Sequence, residues 1–285
     1  MRQLDLSLAF LNEPEPLDFV FCGLVGGTVG NIASPGATGK SFMAMELAMS
    51  VASLNADEQL LKFGIQKSGK AAIFNAEDPD VVLNSRVHSI GKYLEGSAKE
   101  EVFQNLQIHP LLGQQPDITD TAFLNSVIKL CKDHRLLIFD TFTRFHKFNE
   151  NDNGQMSQVV SCYEKIAVET GAAVLFLHHS SKGAVLSGQQ VEQQSTRGAS
   201  SITDNCRWQG FLQTMTAEEA AKLGVIDKQR KKYVRFGGNK ENYGLATADK
   251  WLERGVGGVL IPAPKFEEKA PLKLVKAGSK RNEEV

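Results

Sequence analysis

Up to about residue 205 the chain alternates short apolar runs with longer stretches of helical periodicity. TVGNIA (28–33), AAIFN (71–75), LQIH (106–109), RLLIFD (135–140) and AAVLFLH (172–178) read as strands. They lack apolar/polar alternation, which is the pattern of strands covered on both faces. Between them 41–54, 79–95, 119–134 and 155–170 read as helices. The first of these, SFMAMELAMSVASL, is apolar on nearly every side and is expected to lie buried against a sheet. Alternation of this kind predicts an α/β fold with a mainly parallel, twisted sheet flanked by helices. Beyond residue 206 the texture changes. RWQGFLQ, KKYVRFGG and GGVLIP read as short strands with glycine-bearing turns between them, forming C-terminal β-hairpins.

The ends differ from the body. Residues 1–20 hold one small apolar patch followed by prolines and read as an arm, available for contact between subunits. Residues 21–262 form the main domain, and the charged stretch 263–285 reads as a flexible tail. With 42% hydrophobic and 23% charged residues in 285, the chain can bury a core, which excludes disorder throughout. A net charge of −1 excludes a polybasic nucleic-acid binder, though not a local basic groove. No apolar run approaches the ~20 residues of a membrane span. The N-terminus lacks the apolar region and cleavage site of a secretory signal, so a cytoplasmic protein is expected. Cys22, Cys131, Cys162 and Cys206 are scattered and suggest neither a zinc site nor a redox dithiol.

Candidate chemistry gathers at strand ends. Ser34-Pro35-Gly36-Ala37-Thr38-Gly39-Lys40-Ser41 follows a strand and opens a helix, the context of a phosphate-binding loop. Backbone N–H groups there can wrap phosphate oxygens at the positive end of a helix. Lys40 would hold the β- and γ-phosphates and the Ser41 hydroxyl would ligate Mg²⁺. The strict pattern has glycine where this chain has Ser34. Asp140 ends an apolar strand, which suits either a Mg²⁺-positioning acid or a simple turn cap. In NAEDP, Glu77 suits the base that polarises an attacking water, and Asp78 the cap of the following helix. His178 and His179 are strand neighbours pointing to opposite faces, so at most one of them meets a nucleotide. The polar segment 180–198, bracketed by Lys182 and Arg197, is either a surface insertion or a loop that touches a polyanion. The run Lys228, Arg230, Lys231, Lys232 and Arg235 reads as a solvated strand edge.

Together SPGATGKS, NAEDP, LLIFDTFTRFH, VLFLHHSSKG, RGASSITDNCRWQ and VRFGGNKENYG resemble the RepA-type hexameric replicative helicases of plasmids, within the RecA/DnaB-like ATPases. The resemblance runs from about Leu17 to about Pro262. It implies a RecA-like P-loop ATPase core that binds ATP with Mg²⁺ at the interfaces of a homohexameric ring around single-stranded DNA. Plasmid initiator and primase proteins are the partners it implies. In the same way it implies Glu77 as general base, Asp140 as metal ligand, His179 as γ-phosphate sensor and Arg207 as a finger reaching the neighbouring subunit's nucleotide. It places DNA-facing loops at Arg144 and at Lys182, Gly183 and Arg197, and sets Tyr243 against adenine. Related DnaB-type helicases carry a Lys-x-Arg finger where this chain has Lys240-Glu241-Asn242, which leaves Arg207, helped by Lys240, as the finger. A near-neutral monomer remains compatible with DNA, because a ring repeats a few weak contacts around one pore. Other readings are a RecA-like recombinase or repair ATPase, an ATP-binding regulator without helicase activity, and an ATPase acting on proteins.

Overall fold

The computed structural model describes residues 3–179, 199–244 and 248–266. In chain order the arm helix α1 (Leu6–Leu11) precedes a small hairpin, β1 (Phe19–Phe21) and β2 (Leu24–Val25). Then come β3 (Val29–Ser34), α2 (Lys40–Ala52), α3 (Leu54–Gln59), β4 (Lys70–Asn75), α4 (Asp80–Gly91), α5 (Ala98–Asn105) and β5 (Leu106–Pro110). α6 (Thr121–Leu130), β6 (His134–Asp140), α7 (Asn153–Thr170) and β7 (Ala173–His179) complete the first part. After the gap follow α8 (Ala199–Asn205), β8 (Trp208–Thr214), α9 (Ala217–Lys222), β9 (Tyr233–Glu241), β10 (Lys250–Arg254) and β11 (Leu260–Pro262).

Nine strands form one sheet in the order β11-β10-β9-β8-β3-β7-β6-β4-β5. From β8 to β5 every pairing is parallel, and β9, β10 and β11 continue the sheet antiparallel. The fold class expected from the sequence is thus the one observed. The outermost strands, β5 and β11, each end in proline.

Strand parity sorts the interior into two layers. Ala71, Ile73, Leu136, Ile138, Ala173, Leu175 and Leu177 face the core around α2, while Ala72, Phe74, Leu137, Phe139, Val174 and Phe176 face α6 and α7. Two-sided burial is why these strands lack alternation in sequence. α2 is buried around its circumference as its composition predicts, and even Glu46 and Ser50 are fully buried. Burial pushes the Glu46 carboxyl well above its ordinary range, offset in part by the bond from Leu260 N (2.9 Å). That bond ties the phosphate-loop helix to β11.

Several boundaries differ from the sequence reading for local reasons. The helix expected over 41–54 breaks at Ser53, whose hydroxyl caps α3 by accepting from Ala56 N and donates to Glu101. The helix expected over 79–95 ends at Gly91, and that over 119–134 ends at Leu130 so that His134 can open β6. α7 begins two residues early because Asp152 caps it, and ends at left-handed Gly171. Asp78 does not cap α4, where Pro79 holds the cap position; the Asp78 carboxylate pairs with Arg86 instead. Past Pro262 the chain is still packed, with Ala263 and Phe266 buried beside Tyr233 and Trp251. The arm leaves the body at Asp18, which Arg135 grips with two bonds of 2.6 and 2.7 Å. All residues of α1 are exposed. Among the described residues no helix is long and apolar enough to cross a membrane, and none of the four cysteines is in a disulfide.

Trp208 fixes how β8 joins the parallel strands. It is 1% exposed and meets Phe21 edge-on with ring centroids 5.1 Å apart. Two glycines make room for its ring, since a Cβ on Gly30 would lie 3.1 Å from it and one on Gly210 only 2.4 Å. Gly210→Ala is therefore expected to destabilise the fold by about 1–3 kcal/mol through overpacking, measured by denaturant unfolding. Unchanged stability would mean that the indole shifts freely.

Candidate functional site

The parity that builds the core also builds the site. Ser34, Asn75, Asp140 and His179 end β3, β4, β6 and β7 on the α2 side of the sheet, with Ser34 in register with His179 and Asn75 with Asp140. β3 runs into the phosphate loop and α2 starts at Lys40, behind Gly39 with its positive φ of 105°. The Gly39 conformation is one that only glycine adopts without strain.

A cavity of about 300 Å³ opens there, lined by Ala37 to Phe42 together with Glu77, Asp78, Arg86, His179 and Arg254. Lys40 Nζ donates to Ser34 O (3.1 Å) and Pro35 O (3.3 Å) and lies 3.1 Å from His179 Nδ1. An ammonium only donates, so Nδ1 accepts and the imidazole proton sits on Nε2. Nε2 is 3.8 Å from Glu77 Oε1. Desolvation, with Lys40 beside it, lowers the His179 pKa despite Glu77. Desolvation also lowers that of Lys40, against the pull of Asp140 and Glu77. Neutral His179 thus accepts from the Lys40 ammonium on one side and turns its N–H toward Glu77 on the other. His178, of opposite parity, turns to the other layer, edge-on to Phe142 with centroids 5.8 Å apart. Burial, reinforced by His179 and Lys40, holds its pKa down to about 4.

Asp140 is 2% exposed. Burial pushes its pKa up to about 6; a bond from the Ser41 hydroxyl opposes this, while Glu77 and Asp78 add to it. The hydroxyl and carboxylate expected to hold Mg²⁺ are thus in contact. A desolvated carboxylate with no salt bridge among the described residues fits a divalent ion, and Ser41 and Asp140 are the groups that would hold it. Among the described residues no set of three or more His, Cys, Asp or Glu is placed to bind a metal. Phosphate oxygens and water are the usual remaining ligands of a Mg²⁺ ion held by one or two protein groups.

Two arginines complete the cavity, and the sequence patterns assign neither a role. Arg86 is bidentate to Asp78, with its second bond 3.2 Å, and its guanidinium lies 5.7 Å from the centre of the Phe42 ring. Arg254, at the end of β10, donates to Thr38 O and, at 3.4 Å, to Ala37 O. It makes no ion pair among the described residues, and its half-buried charge stands over the loop. Arg86 lies about two helical turns beyond NAEDP, a readable signal. Arg254 ends a strand too short and polar to stand out.

Other expected residues lie elsewhere. Arg207 is exposed just before β8, where its N–H donates to Val29 O, so it sits at the sheet edge opposite its own phosphate loop. Lys240 is engaged structurally, its Nζ donating to Thr203 O and Asp204 O (2.9 Å each) at the end of α8. Tyr243 follows β9 at this same far edge and lines no part of the cavity of its own chain. Arg144 is exposed on a short 3-10 turn, Phe142–Arg144, beside a second cavity of about 400 Å³ lined also by Leu111, Gln115, His146 and Lys147. Lys182, Gly183 and Arg197 lie outside the described residues.

The family model for the AAA domain matches residues 2–185, and the chain belongs to that family. Among solved structures the chain is similar to an ATPase domain, with a TM-score of 0.56 and 13% identity over 85% of this chain and 90% of that one. It is likewise similar to a DnaB-like replicative helicase studied for its interactions with primase (TM-score 0.56, 14% identity), covering 82% of this chain and 57% of that one. At such identities the likeness establishes the fold. That fold is RecA-like, of the kind found in DnaB-like ATPase domains and not specific to plasmid RepA proteins.

Asp140 supplies a prediction about the nucleotide-free protein. Its folded pKa, about 6, lies above the ordinary 3.8, so the folded state holds the proton more tightly. Its stabilising effect is complete below the ordinary value and is lost as pH rises through about 6. Asp140→Asn should therefore raise stability in EDTA at about pH 8 by on the order of 1–3 kcal/mol and have little effect at about pH 4, measured by thermal unfolding. An equal change at both pH values would show that the carboxylate is not strained by burial.

Proposed function

We propose that the chain is an ATP-dependent replicative DNA helicase that works as a ring on single-stranded DNA, in the manner of the plasmid RepA-type proteins it resembles. The observation that carries this is a separation within one subunit. Lys40, Ser41, Glu77, Asp140 and His179 converge at one sheet edge, whereas Arg207 is exposed at the opposite edge. The cavity's own arginines are engaged, Arg86 with Asp78 and Arg254 with the loop carbonyls. A nucleotide site at one end of a subunit and an exposed arginine at the other suit subunits arranged head to tail.

In this reading ATP enters the cavity and Lys40 leaves the Ser34 and Pro35 carbonyls for the β- and γ-phosphates. Mg²⁺, when bound, neutralises phosphate charge. Glu77 orients the attacking water and accepts its proton. His179, released from Lys40, senses the γ-phosphate at the head of the segment 180–198, where Lys182, Gly183 and Arg197 would meet DNA. Arg144 would meet it from the second loop. Arg207 of one subunit would grip the transition-state phosphate of the next, a task that suits a permanently charged planar fork. Tyr243, at the same edge as Arg207, would reach the adenine of that neighbouring site. The exposed apolar residues of the arm, Leu6, Leu8, Phe10 and Leu11, would pack on an adjacent subunit. Initiator and primase proteins of a plasmid replication system would be its partners, in the cytoplasm. Single-strand binding would tolerate any sequence and weaken with salt.

Glu77→Gln should still bind ATP·Mg²⁺ while hydrolysing it ~10²–10⁴-fold more slowly. Equal losses of affinity and turnover would assign Glu77 to structure.

Arg207→Ala should lose ~10³-fold or more in turnover, the scale of fingers supplied in trans, with ATP affinity kept. Mixing Arg207→Ala with Lys40→Ala subunits should restore activity at interfaces that pair an intact loop with an intact finger. No recovery despite subunit exchange would overturn the interface mechanism. Strand displacement, measured beside DNA-stimulated ATP hydrolysis, separates a helicase from a recombinase or a regulatory ATP-binding protein.

A further inference from the structure

Asn75, the last residue of β4, is completely buried, and among the described residues its side chain bonds to groups around Asp140 and Glu77. Its Nδ2 donates to Asp140 Oδ2 at 3.0 Å. Its Oδ1 accepts from two consecutive backbone amides, Glu77 N at 3.2 Å and Asp78 N at 2.8 Å. Next to it, Ala76 N donates to Asp140 O at 2.8 Å. One planar amide therefore holds the strand end of Asp140 and the turn that presents Glu77.

The Glu77 side chain has little else to fix it. It is 38% exposed, and its neighbour His179 Nε2 is 3.8 Å away, beyond hydrogen-bond range. Where its carboxylate points is thus set by the backbone of 75–78, and Asn75 Oδ1 closes that turn from inside. The amide is well suited to the position. An aspartate there would set two carboxylates against each other, a serine would reach only one of the two sides, and a leucine would leave Asp140 and two N–H groups without partners.

We propose that Asn75 is a positioning residue for hydrolysis, aiming Glu77 at the γ-phosphate and keeping Asp140 turned toward Ser41. This rests on the reading of Glu77 as general base. Misplacing a reacting group by about 1 Å can cost ~10²-fold in rate. Asn75 acts only through Glu77 and Asp140, so its loss falls on the chemical step and spares the phosphate contacts of Lys40 and the loop.

The test is a double-mutant cycle on the full chain, with single-turnover hydrolysis of ATP·Mg²⁺ and nucleotide affinity measured together. Asn75→Ala should slow hydrolysis ~10–100-fold while leaving ATP affinity within about 3-fold. In a Glu77→Gln background the same substitution should cost clearly less than in the wild type, because Glu77 is already disabled and only the hold on Asp140 remains to be lost. Equal losses in both backgrounds, or a loss of affinity in step with hydrolysis, would overturn the proposal in favour of a purely structural role. Should Asn75→Ala not fold, amide hydrogen exchange on the wild-type chain decides. The Glu77 and Asp78 amides should be protected, and exchange at solvent-exposed rates would overturn the proposal. If the wild-type chain hydrolyses no ATP, the ATPase reading fails by itself, and exchange still reports whether Asn75 holds the turn.

Discussion

The site depends on which face of the sheet each strand-end side chain occupies. In a parallel sheet buried on both sides, parity along the strand decides the layer each side chain enters. Leu175 and Leu177 pack toward α2, so His179 reaches the phosphate loop, while Phe176 and its neighbours carry His178 away. The same parity delivers Asp140 behind Leu136 and Ile138, and Asn75 behind Ala71 and Ile73. A register slip of one residue in any of these strands would exchange a polar group of the site for a core group. Apolar strand interiors thus serve as the alignment device for polar strand ends.

The site is held in a state of unmet electrostatic demand. Lys40 rests on the carbonyls of its own loop, Arg254 stands over the same loop with no ion pair among the described residues, and Asp140 is a buried acid next to a hydroxyl. Each of these groups is poorly solvated, and an anion carrying a divalent cation would satisfy them together. Such compromise is common where function sets the chemistry of a buried position.

Much of this is readable in the sequence, in proportion to how far each feature depends on local chemistry. The phosphate loop, the apolar strands and the acids Glu77 and Asp140 are contiguous patterns with a physical reason. Arg207 is singled out only by the family resemblance, since an arginine preceding an apolar strand is otherwise an ordinary surface residue. Distant pairings are not legible. Arg254 reaches the loop only because β10 adds to the sheet through β9, and Asn75 looks like an ordinary strand-end residue until β6 lies beside it. Helix ends escape the periodicity where a single cap decides them, as at Ser53 and Asp152. The capping preference of Asp78 is real but loses to a stronger ion pair with Arg86.

The prolines that close β5 and β11 bear on how copies of this chain can meet. A sheet grows by adding a strand to an outer edge, and proline removes a donor from the ladder such growth requires. Here Pro110 and Pro262 stand at the ends of both outermost strands, and β11 is three residues long. Backbone pairing is thereby made a poor glue, and side-chain surfaces are left to decide self-recognition. Contacts of that kind can loosen and re-form as ligands come and go, whereas a continuous intermolecular sheet would lock neighbours together.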